Sequence, residues 1–134
     1  MVRLSINITM HIDFRKELFN ELKEILESFS KEMDVSSDFE GRYEIVGRKE
    51  VTIAGRTRKS VYFAGIIIQS TYVGFYFMPI YSNPKEFDWL SQGLRKLLKG
   101  KSCFHVKELP VGMRKEIVKM IKLGFKLYKQ EGWL

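Results

Sequence analysis

Residues 100–107, GKSCFHVK, hold the chain's single cysteine and one of its two histidines. Cys103 and His105 are two apart. In a strand, residues two apart share a face. A thiol beside an imidazole is the smallest set that can do nucleophilic catalysis, with Cys103 as nucleophile and His105 as its base. Lys101 and Lys107 would favour the thiolate electrostatically. The pattern supplies no orienting Asp or Asn and no oxyanion hole. Neighbouring side chains on one strand face also stand side by side without needing to bond. A cysteine commonly packs as a small hydrophobe. The reading favoured is therefore a strand anchored by Phe104 and Val106, with Cys103 and His105 on its other face and no catalysis.

Metal chemistry is a second option for these residue types. Structural zinc takes four Cys, His or carboxylate ligands. One cysteine and two histidines at no ligand spacing do not supply such a set, so neither a metal site nor a cofactor is expected. Oxygen ligands suit hard cations. The acidic row Glu17, Glu21, Glu24 and Glu27, or the group Asp34, Asp38 and Glu40, is the alternative. Lys16, Lys23 and Lys31 interrupt the row, and Lys23 and Glu27 are spaced to pair on a helix. A solubilising helix face is the simpler reading.

Charge points to anionic partners. The net charge of +7 is unevenly spread. Residues 1–40 hold 5 Lys/Arg against 9 Asp/Glu, a net −4, and the rest hold 18 against 7, a net +11. A basic segment attracts nucleic acid, anionic lipid or acidic partners. Lys115, Lys119, Lys122, Lys126 and Lys129 recur at steps of four and three, one stripe of a helix. They are the nucleic-acid candidates, and Tyr62, Tyr72 and Tyr76 could offer stacking faces. A lysine stripe opposite an apolar face is usually only the solvated side. Tyr72, Tyr76 and Met78 share one strand parity; Val73, Phe75 and Phe77 share the other. If helices cover only the second set, the first is an exposed aromatic surface near Arg56, Arg58 and Lys59, and so a ligand or partner site.

The elements that must position these residues can be read from periodicity. Leu4, Ile6 and Ile8 alternate with polar residues, which predicts a short strand or a loose terminus over residues 1–12. Asp13 then caps a helix whose apolar face is Phe14, Leu18, Leu22, Ile25, Phe29 and Met33. The stretch DVSSDFEG is read as a polar linker. Strands follow at 43–54, with Gly47 a bulge, at 61–69 and at 72–78, with AGRTRKS a basic turn between the first two. Asn83 or Ser82 caps a second helix carrying Phe87, Trp89, Leu90, Leu94, Leu97 and Leu98, and Gly100 ends it. A fourth strand lies at SCFHVKEL, and the last helix spans about 113–131. The fold class expected is α+β: an antiparallel sheet of about four strands with three helices, in the order α-β-β-β-α-β-α.

With 134 residues the chain suits one domain, which can build a core without metal or disulfide. The uncharged run 60–84 is long enough to span a membrane. Gln69, Ser70 and Thr71 at its middle, with Gly65, Gly74 and Pro79, make it a hairpin instead, so no membrane partner is expected. The start, MVRLSINITM, does not read as a signal peptide, and a cytoplasmic protein is expected.

From about Tyr43 onward the chain resembles the YdhG-like family, also catalogued as domain of unknown function 1801. The matching pieces, in order, are VTIAGR (51–56), VYFAG (61–65), GFYFMP (74–79), GKSCFHV (100–106) and GFKLYKQEGW (124–133). Many members carry a histidine before the GFY piece, where this chain has Tyr72 and Val73. Many also carry a Thr-x-Arg pair where this chain has Cys103 and His105. The resemblance implies a fold more than an activity. One branch is described as a frataxin-like iron chaperone, which is the family-derived alternative. The expectation for this chain is a non-catalytic binding module for a protein partner or a small anionic ligand. Tyr62, Tyr72, Tyr76, Cys103, His105 and Lys107 form its face.

Overall fold

The computed structural model describes residues 2–134, with side chains from residue 14 onward. Helix α1 runs Val2–Glu27 and is followed by a 3-10 turn at Ser30–Glu32. Strands β1 (Asp34–Phe39) and β2 (Arg42–Val46) form a hairpin. A separate two-stranded hairpin, β3 (Val51–Ile53) and β4 (Arg56–Arg58), interrupts the path to β5 (Tyr62–Ile68) and β6 (Val73–Phe77). Then come α2 (Met78–Ser82), a 3-10 turn at Pro84–Phe87, α3 (Gln92–Arg95), β7 (Leu98–Lys99), β8 (Cys103–Val106) and α4 (Val111–Glu131). The main sheet has spatial order β1-β2-β5-β6-β8-β7, and every neighbouring pair is antiparallel.

The α+β class and the antiparallel sheet are as expected; the count and the order are not. There are six strands and a two-stranded hairpin instead of about four, and four α-helices instead of three. The segment read as a linker is edge strand β1, exposed along most of its length, so it has no apolar alternation to reveal it. The segment read as one strand over 43–54 divides. Its chain leaves the sheet after Gly47, whose N–H donates to the Val61 carbonyl, and restarts as β3. The basic turn is strand β4, with Ala54 and Gly55 both at positive φ as the hairpin tip. The N-terminal alternation does not make a strand. The helix passes through Asp13, because extending an existing helix forms one bond per residue fixed. The helix expected to end at Gly100 breaks into pieces. Ser91 starts a new turn by accepting from the Leu94 N–H, while Glu116 on α4 accepts from its backbone N–H and hydroxyl. Its end, Leu98 and Lys99, pairs with β8.

The buried apolar side chains of the central strands gather with the helices in one core cluster. One row of partners across the sheet is Tyr43, Ile66, Phe75, Phe104 and Leu98. The first four are essentially inaccessible. Leu18, Phe19, Leu22, Ile25 and Leu26 of α1 pack into the same cluster, as do Ile117, Met120, Ile121 and Tyr128 of α4. Each such side chain contributes about 1.5–3 kcal/mol by leaving water. The Tyr128 hydroxyl donates to the Tyr62 carbonyl at 2.6 Å, tying α4 to β5. No described helix is long and apolar enough to cross a membrane.

Gly124 sets how closely α4 approaches the sheet. A Cβ there would lie 2.5 Å from Phe77 Cζ and 2.8 Å from Pro79 Cγ. Helix propensity alone favours alanine by about 1 kcal/mol. Phe77 is wedged among Phe63, Phe75 and Phe87, so it has no room to yield. Gly124→Ala is therefore expected to lower stability by about 1–3 kcal/mol in urea unfolding; an unchanged or raised midpoint would show that α4 can shift freely.

Candidate ligand-binding site

The alternation that buries Tyr43, Ile66, Phe75 and Phe104 turns their neighbours to the opposite face. There the row across the sheet is Glu44, Gly65, Tyr76, Cys103 and Lys99. A second row is Arg42, Ile67, Gly74 and His105. Both long helices pack on the other side, so these residues lie on the face that α1 and α4 leave uncovered. Tyr62, Tyr72, Tyr76, Cys103 and His105 are all half-buried, and Lys107 is exposed. Tyr72 and Tyr76, which strand parity places together, do share this face, half-buried where an exposed surface was expected. Met78 is the exception, since it begins α2.

Tyr72 and His105 stack with ring centroids 3.9 Å apart and planes 12° from parallel. Tyr76 lies along its strand over Gly74: a Cβ on that glycine would be 2.8 Å from the ring's Cε2. Its hydroxyl accepts from Gln69 Nε2 at 3.2 Å. Burial raises the pKa of Tyr76, with Cys103 adding to the effect, so it stays a neutral phenol. At the other end of the face, the Tyr62 hydroxyl and Arg42 both donate to Glu44, at 2.7 and 2.9 Å. The Tyr62 oxygen occupies the space a Cβ on Gly65 would need. Burial and the Glu44 hydrogen bond push the Tyr62 phenol well up.

Cys103 and His105 share this face but not a bond. The thiol is directed at the Phe104 carbonyl, at 4.0 Å, and sits across from Tyr76, while the imidazole stacks on Tyr72. Among the described residues no hydrogen bond joins the two. Burial raises the Cys103 pKa, and a Tyr76 hydrogen bond only partly offsets it. Lys101 leaves the set expected around the thiol; it lies in the turn before β8, over the Tyr81 ring at 5.6 Å.

A cleft of about 540 Å³ opens at the β7 edge, lined by Lys96, Leu97, Lys99, His105, Lys107 and Glu108, with Met113 from the first turn of α4. The apolar periodicity of residues 87–98 places Lys96, Leu97 and Lys99 on a helix, which keeps them out of the expected face. Gly100, at φ 68°, was the available signal: it turns a hairpin between Lys99 and Cys103 instead of merely ending a helix. The Arg42–Glu44 pair was missed because a charged pair in an alternating strand reads simply as the solvated face.

The other sets stay apart from this site. Lys115, Lys119, Lys122, Lys126 and Lys129 are all exposed, but they project from α4, on the far side of the sheet. Lys119 lies 4.4 Å from the Trp89 ring, and Lys129 pairs with Glu32 at 3.1 Å. Glu17, Glu21, Glu24 and Glu27 are exposed along α1. Asp38 pairs with Lys23, and Asp34 with Arg48. Among the described residues, no three His, Cys, Asp or Glu side chains converge to hold an ion. Arg56 and Arg58 are exposed on the β3–β4 hairpin, outside the main sheet.

The chain matches no family model, and no curated protein or solved structure matches it. Fold and face together describe a small α+β domain with helices on one side of its sheet and a polar, aromatic surface on the other.

Two measurements test this electrostatic picture. A half-buried thiol with a raised pKa is largely protonated at neutral pH, so Cys103 is expected to alkylate with iodoacetamide more slowly than an exposed thiol. Rapid modification at neutral pH would restore the Cys103–His105 pair as a nucleophile. Burial opposes the Glu44 charge, but hydrogen bonds from Tyr62, Arg42 and Ser37 outweigh it and hold the carboxyl below its ordinary value. A lowered folded-state pKa contributes stability that is complete above the ordinary glutamate range and is lost as pH falls through the lowered value. Glu44→Gln should cost about 1–3 kcal/mol at neutral pH, and the deficit should shrink on acidification; a deficit that is independent of pH would contradict the charged assignment.

Proposed function

We propose that this protein is a non-catalytic binding domain that holds a small anionic ligand on the open face of its sheet. The ligand's charge sits in the cleft at the β7 edge. The observation that carries this reading is the placement of Lys96, Lys99 and Lys107 around a cleft whose wall is His105. Three cationic side chains against one carboxylate, Glu108, leave the concavity net positive and able to attract an anion, and partial enclosure strengthens that attraction over an exposed pairing. The half-buried Tyr72–His105 stack supplies a preformed wall, which limits the ordering cost of binding. The separation of the thiol from the imidazole supports binding over Cys–His catalysis. The resemblance to the YdhG-like family is consistent with a small α+β domain and adds no activity to the proposal.

Inorganic phosphate or pyrophosphate, titrated into the labelled protein and followed by amide NMR shifts, tests the site. Shifts should concentrate at Lys99, His105 and Lys107 and saturate in the millimolar range. Lys99→Glu with Lys107→Glu should abolish them. Shifts confined to the α4 lysines, or none at all, would overturn the assignment.

A further inference from the structure

We propose that the anion bound here carries a planar heteroaromatic ring, and that the ligand class is a nucleoside monophosphate, its base lying on Tyr76 and its phosphate in the lysine-lined cleft. The inference rests on the anion site proposed above. It adds a second recognition element from an independent observation, the posture of Tyr76.

A tyrosine in a strand ordinarily stands away from the sheet. Tyr76 lies down, and it can do so because residue 74 is glycine: the ring covers the space where a Cβ would be. Gln69 holds the hydroxyl end in place. The Cε2–hydroxyl edge of the ring therefore rests over Gly74, on the side of the sheet without the two long helices, and the side chain stays partly exposed there. An aromatic ring held at its backbone side by Gly74 and at its hydroxyl by Gln69 is a contact surface for another planar π-system, because little freedom is lost on binding. The Tyr72–His105 stack stands directly beside it, since Gly74 and His105 are cross-strand partners. A planar ligand on Tyr76 thus has a floor and a side wall.

The distance to the cations suits one ring joined to one phosphate. Tyr76, Cys103 and Lys99 are consecutive partners across β6, β8 and β7. Their backbones are therefore separated by two strand spacings, about 10 Å. A ribose with its 5′-phosphate bridges a gap of that order. The charge pattern also selects a single phosphate over a nucleic-acid strand. On this face the lysines gather at the β7 edge, three against the single Glu108, whereas at the opposite end Arg42 is paired one to one with Glu44. Single-strand binders need basic groups that track the backbone across the whole surface. The lysine stripe of α4 cannot complete such a track from the other side of the molecule.

Calorimetric or NMR titration of the full chain with AMP and UMP, against ribose 5-phosphate and inorganic phosphate, separates the two proposals. One base–aromatic stack should make the nucleotides bind about 5- to 150-fold more tightly than ribose 5-phosphate. Tyr76→Leu should erase that advantage while leaving the phosphate response at Lys99 intact, and Tyr76→Phe, which keeps the ring, should retain it. If nucleotides bind no better than ribose 5-phosphate, the stacking inference fails while the anion site stands. If no phosphate compound perturbs Lys99 or Lys107, both fail. If AMP does not bind but a single-stranded oligonucleotide does, with steep salt dependence across the face, the mononucleotide assignment is overturned.

Discussion

Burial on one side only of a pleated sheet is the constraint from which the rest of this structure follows. Strand side chains alternate, so committing Tyr43, Ile66, Phe75 and Phe104 to the helices commits Glu44, Gly65, Tyr76 and Cys103 to the other face. Both long helices are used on the first face, and the close approach of α4 at Gly124 closes that layer. A slip of one residue in any central strand would exchange the two sets. The register that stabilises the fold is therefore the register that assembles the surface.

On that surface, small residues matter as much as large ones. Gly74 leaves room for the Tyr76 ring, and Gly65 leaves room for the Tyr62 hydroxyl beside Glu44. The face becomes a layer of phenols and one imidazole, with the hydroxyls of Tyr62 and Tyr76 hydrogen-bonded. Such a layer tolerates partial exposure, whereas a phenylalanine face of the same size would invite aggregation. Both sheet edges are also protected from adding a foreign strand. The β1 edge carries Asp34 and Asp38 and an irregular register between Val35 and Ser37, and β7 is only two residues long. The geometry favours ligands that settle on the face over chains that extend the sheet.

Two groups of lysines in this chain lie on surfaces that face apart. The α4 lysines dominate by number, and their regular spacing makes them the conspicuous feature of the sequence. In the fold they form the solvated side of a packed helix, and two of them are engaged with Trp89 and Glu32. Lys96, Lys99 and Lys107 are irregularly spaced in the chain yet share one cleft. Periodicity reports the shape of an element, whereas convergence depends on how elements pair.

The local pattern of the chain was enough to determine the apolar stripe of α4, strands β5, β6 and β8, the separate faces of Phe75 and Tyr76, and the placement of Phe104 and Val106 in the core. Each depends only on side-chain periodicity within one element. The tertiary structure alone decided that β1 and β7 are strands, because an exposed edge and a two-residue strand have no alternation to show. It also decided that one sheet face remains uncovered, which depends on where α1 and α4 dock. The same holds for Cys103 and His105. Their shared face follows from strand geometry, but their partners, Tyr76 and Tyr72, come from a neighbouring strand and the turn before it, in a register that no local pattern contains.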